Sequence, residues 1–236
     1  MKTALATGAA RGLGRALVQH LAENNFYVYA GVRNLDEAID YGTKVENVKK
    51  ILLDVTSDLS IERAAEKIAT EKGSVDLIIN NAGLARSSAI FGGKEFVSDI
   101  PSFDRDKLLL MFDVNAISPM MVAKNFIDLM KNKDSFIVNV ASKRASFQDD
   151  FNEKTRTSGY RASKLALVMF TKCLVDYLPE NVKTFAVHPN EVITEMNPNG
   201  EFTPEEASDA LYKLIENFDP NDNGKFLNYD GSIYPI

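Results

Sequence analysis

The sequence predicts an α/β protein: a single doubly wound domain with a mostly seven-stranded parallel sheet flanked by helices. Three observations support this fold class. Short apolar runs typical of buried strands alternate with longer patterns typical of helices. The first apolar run ends in a glycine-rich turn. The chain of 236 residues, 45% hydrophobic and 25% charged, can bury one sizeable core, so we expect residues 1–236 to form one domain.

The strands are predicted from compact apolar runs bounded by turn residues or helical patterns. In chain order they lie at 3–7, 26–32, 51–54, 77–80, 136–140, 183–188 and 226–228. Strands that alternate with helices pair in parallel, because each connection must cross the sheet before the next strand begins. The sequence therefore predicts a parallel sheet.

The helices are predicted from apolar residues spaced three or four positions apart. They lie at 15–23, 61–71, 107–131, 160–178 and 204–217, and Pro119 interrupts the third. The least regular segments, at 84–104, 146–159 and 190–203, all follow strand ends. Ligands bind at the carboxyl ends of strands in such sheets, so we expect substrate contacts from these segments.

Composition excludes several classes of protein. The net charge of −6, without a basic run, argues against a nucleic-acid partner. No apolar stretch approaches the roughly 20 residues of a membrane span, and the N-terminal apolar run is too short for a signal peptide. One cysteine and two histidines can form neither a disulfide nor a zinc cluster, so we expect a cytoplasmic protein without a metal. Cys173 is expected to be buried, and His188 to make a structural hydrogen bond.

The glycine-rich turn after the first strand is the first functional signal. Gly8, Gly12 and Gly14 are spaced four and then two apart, whereas the widespread Rossmann fingerprint spaces its glycines two and then three apart. The chemistry is the same: Gly8 allows the turn, Gly12 allows a pyrophosphate to approach, and Gly14 allows the helix to pack on the strand. The turn predicts a dinucleotide site.

The residues after the second strand indicate which dinucleotide binds. An acid at that point would bind the ribose hydroxyls of NAD, but Arg33 stands there instead. Arg33 offers a fork of donors to a 2′-phosphate, and Arg11 could reach the same phosphate from the glycine turn. We therefore predict NADP(H) in preference to NAD(H). The alternative is that both arginines are solvated surface groups.

Tyr160 and Lys164 form the second signal. Four residues apart, they share one face of a helix. A phenol with a pKa near 10 is a poor acid–base catalyst at neutral pH, and a nearby ammonium would stabilise its phenolate. Lys164 could supply that charge and also bind ribose hydroxyls. Taken alone, such a pair is also common as a surface feature of helices.

Together these signals resemble the short-chain dehydrogenase/reductase family along nearly the whole chain. The matching motifs, in order, are 7–14, Asp54-Val55, Asn80-Asn81-Ala82-Gly83, Asn115, Ser142, and Tyr160 with Lys164. Singly, each has an ordinary structural alternative: Ser142 could cap a strand end, Asn115 could bond helix backbone, and 80–83 could be only a turn. Their joint order and spacing favour the family.

The resemblance implies a role for each matching residue. Tyr160 is the general acid, Ser142 hydrogen-bonds the substrate carbonyl, and Lys164 lowers the tyrosine pKa. Asn115 holds a proton-relay water. The remaining residues implied for the cofactor are Gly8, Arg11, Gly12, Leu13 and Gly14 in the turn, Asp54 and Val55 at the adenine, Asn81, Ala82 and Gly83 at the adenosine ribose, and Val192 and Thr194 at the carboxamide and phosphate side.

Three features depart from the family pattern or refine it. Asn190 replaces a glycine, although asparagine tolerates a left-handed backbone better than most residues. Ser142 and Tyr160 are 18 apart, several residues more than is usual in the family, and the extra residues form a polar loop expected near the site mouth. Segments 224–231 and 159–164 resemble the sniffer- and C-factor-like branch of carbonyl reductases.

The predicted activity is NADPH-dependent reduction of a small ketone or aldehyde. The alternatives left open are a 3-oxoacyl carrier-type reductase, an alcohol dehydrogenase, and a non-catalytic dinucleotide sensor or signalling protein. By analogy with the fold, helices 107–131 and 160–178 predict a homodimer or homotetramer.

Overall fold

The computed structural model describes residues 1–42, 45–85, 103–149 and 157–236. Seven strands form one parallel sheet in the order β3-β2-β1-β4-β5-β6-β7, which confirms the predicted fold class. The strands are β1 Lys2–Ala6, β2 Phe26–Val32, β3 Val48–Leu52, β4 Leu77–Asn80, β5 Ser135–Val140, β6 Val182–His188 and β7 Phe226–Asn228. The strand order reverses between β1 and β4, and this leaves a crevice at their carboxyl ends.

The helices are α1 Gly12–Glu23, α2 Asp58–Lys72, α3 Arg105–Phe112, α4 Ser118–Phe126, α5 Ser158–Leu174 and α6 Pro204–Glu216. They cover both faces of the sheet because side chains alternate along each strand. In β1, Ala4 and Ala6 pack with residues of α1 and α6, whereas Leu5 packs with residues of α2 and α4. Among the described helices, none is both long and apolar enough to cross a membrane.

The predicted helix 107–131 is divided into segments. A π-helical turn, Asp113–Ile117, joins α3 to α4, and a short 3-10 turn, Ile127–Leu129, follows α4. Pro119 lies in the first turn of α4. A proline has no N–H to donate to the carbonyl four residues earlier, which is that of Asn115. The wider turn accommodates this missing bond and holds the buried Asn115 at the sheet edge.

Two other predictions need correction. The third strand is Val48–Leu52, not 51–54, because its start carries Lys49 and Lys50 on the free edge of the sheet. Lys49 pairs with Glu71 at 2.8 Å, so charged side chains conceal the strand pattern. The expectation of a buried Cys173 is also wrong: this residue lies on the exposed side of α5.

Candidate active site

The glycine turn leads directly into the N-terminus of α1. Gly8 and Gly12 have φ of +64° and +52°, which glycine adopts most readily. A side chain at Gly14 would place its Cβ 2.2 Å from the Gly8 carbonyl oxygen, so only glycine fits. The N-cap residue of α1, Arg11, makes no side-chain cap hydrogen bond, and no acid lies in the first turn. The amides of this turn and the positive end of the helix dipole therefore fit an anionic pyrophosphate.

The segment after β4 is hydrogen-bonded to the residue that precedes this turn. Thr7 Oγ1 accepts hydrogen bonds from the amides of Asn81 and Ala82, both at 3.0 Å. In return, Asn81 Nδ2 donates to the Thr7 carbonyl at 3.0 Å. A Cβ at Gly83 would lie 3.4 Å from Asn115 Oδ1 and 3.7 Å from Lys164 Nζ. Two predicted cofactor segments and two predicted catalytic residues thus meet at the switch point between β1 and β4.

The predicted adenine end lies beside the same segment. Val55 and Ala82 line a small crevice together with Val114 from the π-helical turn. Asp54 Oδ1 accepts hydrogen bonds from the amide and hydroxyl of Thr56, at 3.0 and 2.8 Å. Val114 carries no signal of its own in the sequence, because the motif around Asn115 does not show which neighbour faces the crevice.

The two arginines predicted to bind a 2′-phosphate have different surroundings. Arg33 is exposed just beyond β2, and it has no ion-pair partner within the described ranges. Arg11 Nη1 lies 2.6 Å from Glu195 Oε2. Thr194 lies on the other side of the glycine turn, where a Cβ on Gly12 would be 3.1 Å from Thr194 Cγ2. Val192 is buried and bridges to Phe202.

Ser142 and Tyr160 meet at the carboxyl edge of the sheet. Ser142 follows β5, and Tyr160 lies in the first turn of α5. Their side chains approach each other: burial raises the pKa of the Tyr160 phenol, while the nearby Ser142 hydroxyl and the charge of Arg144 act in the opposite direction. The phenol therefore holds its proton at neutral pH and faces a second hydroxyl.

Lys164 lies one turn further along α5, and it is 4% exposed. Its Nζ donates to the carbonyl oxygen of Val140 at 2.6 Å and lies 6.0 Å from the centre of the Tyr160 ring. Burial lowers the pKa of Lys164 to about 8. An ammonium with this pKa can exchange its proton close to neutral pH. Its predicted effect on the pKa of Tyr160 stays a prediction.

Both polar atoms of the Asn115 side chain bond protein groups. Its Oδ1 accepts from the Leu84 amide at 2.8 Å, and its Nδ2 donates to the Leu84 carbonyl at 2.9 Å and to Ser163 Oγ at 3.0 Å. These bonds join the segment after β4 to α5. If Asn115 holds a water, its main-chain carbonyl is the group available for it.

The substrate side is only partly described. The predicted substrate segments 84–104 and 146–159 include 86–102 and 150–156, which lie outside the described residues. In the third segment, Asn190 has φ +72°, which confirms that asparagine supports the turn in place of glycine. Its Oδ1 accepts from the Glu191 amide at 2.8 Å. Arg144, Asp149 and Arg161, which no motif indicated, form ion pairs beside Ser142 and Tyr160.

Comparisons with known proteins agree with this architecture. A family model for short chain dehydrogenases matches residues 2–203, so the chain belongs to the short-chain dehydrogenase/reductase family. It is 29% identical to an oxidoreductase of Schizosaccharomyces pombe, over 97% of this chain and 96% of the relative. The protein is thus an oxidoreductase with a fold that binds a nicotinamide dinucleotide.

Two solved structures indicate the branch of the family. An NADPH-bound carbonyl reductase from chicken fatty liver superimposes with a TM-score of 0.88 and 28% identity, covering 100% of this chain and 99% of the other. The carbonyl reductase Sniffer of Drosophila melanogaster gives a TM-score of 0.84 and 25% identity, covering 100% of both chains. These similarities confirm the predicted family and its carbonyl reductase branch.

Proposed function

We propose that this protein is an NADPH-dependent carbonyl reductase that converts a small ketone or aldehyde to an alcohol, with Tyr160 as the general acid. The observation that carries the proposal is the convergence of three groups at the sheet edge: Ser142 after β5, Tyr160 in the first turn of α5, and buried Lys164 one helical turn further on. A site that only binds a dinucleotide has no chemical need for this arrangement.

The bound dinucleotide would supply the hydride, and the residues of this chain would manage the proton. Ser142 and Tyr160 would each donate a hydrogen bond to the carbonyl oxygen and thus orient the substrate. As negative charge develops on that oxygen, Tyr160 gives up its phenolic proton to it. The phenol holds its proton before the reaction, and the Ser142 hydroxyl and the charge of Arg144 favour its release by opposing the effect of burial on its pKa.

Lys164 and Asn115 would return a proton to Tyr160. With its pKa lowered to about 8, Lys164 can lose and regain a proton near neutral pH. The main-chain carbonyl of Asn115 would hold the relay water, since its side chain already bonds Leu84 and Ser163. The Lys164 ammonium would also bind ribose hydroxyls.

The preference for NADPH rests on Arg33. It is exposed at the end of β2, where no carboxylate stands to repel a phosphate. A planar guanidinium binds a phosphate through two parallel hydrogen bonds. The chicken carbonyl reductase, similar over the whole chain, was solved with NADPH bound.

We further propose that the enzyme works in the cytoplasm as a homodimer or homotetramer. A single cysteine suits a reducing compartment. Helix α5 and the α3–α4 region present exposed apolar side chains: Met169 (56% exposed), Phe170 (41%), Leu109 (61%) and Ile117 (45%). Pairing with a second copy of the chain would remove these side chains from water.

Steady-state oxidation of NADPH and NADH over ketones, aldehydes, quinones and 3-oxoacyl thioesters tests the activity, with alcohol oxidation measured in parallel. Tyr160→Phe should lower kcat by at least about 100-fold, because general acid catalysis contributes on that scale. Tyr177→Phe is the matched control, since Tyr177 is 81% exposed. NADPH binding without turnover of any compound would favour the sensor. An active Tyr160→Phe variant would exclude the mechanism, and thioester preference would identify a 3-oxoacyl reductase.

A further inference from the structure

A cluster of three charged side chains, two of them largely buried, lies beside the catalytic pair. Asp149 Oδ2 accepts from Arg144 Nη1 at 2.9 Å and from Arg161 Nη2 at 2.6 Å. The side chains of Asp149 and Arg161 are only 9% and 7% exposed, and that of Arg144 is 26% exposed. One carboxylate oxygen thus holds two guanidinium groups largely away from water.

The cluster joins the two chain segments that carry the catalytic hydroxyls. Arg144 lies two residues after Ser142, and its amide donates to Ser142 Oγ at 3.2 Å. Arg161 follows Tyr160 directly in α5, and its Nη1 donates to the Arg144 carbonyl at 3.5 Å. Asp149 therefore connects the turn after β5 to the N-terminus of α5.

Stability alone does not account for such a cluster. Removing three charges from water is costly, and apolar residues of similar volume often stabilise a fold equally well or better. Buried charges that add little stability still fix the relative position of the elements that carry them. Here the fixed elements are the turn after β5 and the N-terminus of α5, which carry Ser142 and Tyr160.

The cluster also affects the charge near the phenol. The groups that act on the pKa of Tyr160 are the Ser142 hydroxyl and the Arg144 guanidinium, and Lys164 Nζ, on the same helix, lies 6.0 Å from the centre of the ring. Asp149 pairs with Arg144 and also with Arg161. The next charged groups are Lys143 and Glu191, which pair with each other near the buried, uncharged His188 on β6.

We propose that Asp149 is a positioning residue for the reaction: it holds Arg144 and Arg161 so that Ser142 and Tyr160 stay paired, and it balances the positive charge that Arg144 directs at the phenol. This inference rests on the proposed function, in which Tyr160 is the acid. It assigns Arg144 and Asp149 opposite electrostatic effects on the same proton.

The pH profile of kcat/KM for carbonyl reduction, from about pH 6 to about pH 11, separates this role from a purely structural one. The phenol must be protonated, so the rate falls as pH rises through its apparent pKa. Arg144→Gln removes a cation and should move this fall to higher pH, so that less of the rate is lost by about pH 11 than in the parent. Asp149→Asn removes the anion and should move the fall to lower pH, by about one pH unit.

Further variants make the test specific. Asp149→Glu keeps the charge and should keep the parent profile. Asp149→Asn should also lower kcat by about 10- to 100-fold through misplacement of the catalytic pair, with the KM for NADPH within about twofold. Asp209→Asn removes an exposed carboxylate that pairs with Lys213 on α6, and it should leave both kcat and the profile unchanged.

The outcomes are distinguishable. If Arg144→Gln and Asp149→Asn move the fall in kcat/KM to opposite sides of the parent pH, the inference is supported. If the fall does not move, or moves in the same direction in both variants, the inference is overturned. If Asp149→Asn does not fold, the profile of Arg144→Gln decides the point alone. Tyr160→Phe is assayed alongside. If this variant turns over like the parent, the proposed function fails. If it is inactive but Arg144→Gln and Asp149→Asn keep the parent pH profile, only the role of Asp149 is refuted.

Discussion

Arg11 in the glycine turn is paired with Glu195, 184 positions later in the chain, through an Nη1–Oε2 contact of 2.6 Å. Both side chains are exposed, so the pair adds little to stability. Its consequence concerns the cofactor: the charge of Arg11 is already engaged, whereas Arg33 has no ion-pair partner among the residues that the structure describes. The two arginines should therefore contribute unequally to NADPH binding.

Arg33→Ala should raise the KM for NADPH by about 10- to 100-fold, because a hydrogen bond to a charged group is worth about 1.5–3 kcal/mol. Arg11→Ala should raise it less, since a phosphate must compete with Glu195 for that guanidinium. The KM for NADH is the internal control and should stay unchanged in both variants. An equal loss with the two dinucleotides would mean that Arg33 does not recognise the 2′-phosphate.

His188 makes folding stability sensitive to acid. Its Nδ1 is buried with no hydrogen-bond partner in the described part of the chain, so the structural bond expected from the sequence is not found at this atom. Its ring meets that of Tyr234 edge to face, 5.6 Å apart. Burial, with Lys143 and Arg144 nearby, lowers the pKa of His188 to about 4. The unfolded chain binds this proton near pH 6.5, so acid favours unfolding between about pH 6.5 and pH 4.

The free energy of unfolding should accordingly fall between pH 7 and pH 5 by about 2 kcal/mol more in the parent than in His188→Gln. Urea titrations at the two pH values measure this difference. Comparison with the variant removes the contribution of the carboxylates, which titrate in both proteins. Parallel pH dependence in the two proteins would contradict a neutral, buried His188.

The exposed apolar side chains of α5 predict how copies of the chain associate. Sedimentation velocity should find a dimer or tetramer, and Phe170→Glu should shift it towards the monomer, because a charge would be buried at the interface. Leu59→Glu is the matched control: Leu59 is 52% exposed on α2 and should tolerate the charge. A monomeric parent, or equal effects of the two substitutions, would refute the assignment of this face.

Local sequence patterns were sufficient for much of the fold. Three strands, Phe26–Val32, Leu77–Asn80 and Phe226–Asn228, match their predicted bounds, because their residues are mostly buried and mostly apolar. The positive φ of Gly8 and Gly12 agrees with their predicted part in a tight turn. Motif order led to Ser142, Tyr160 and Lys164, whose roles remain predictions although their side chains converge at one edge of the sheet.

The sequence by itself determined the alternation of buried strands and helices, the glycine turn and the residues that carry the family motifs. Hydrophobic periodicity and the need for glycine in a tight turn can each be recognised within a few consecutive residues. Only the tertiary structure decided that β3 is a charged edge strand, that Asn115 uses its side chain to bond Leu84, and that Asp149 holds two arginines. These features depend on burial and on charges brought together by the fold. No local pattern in the chain encodes such proximity.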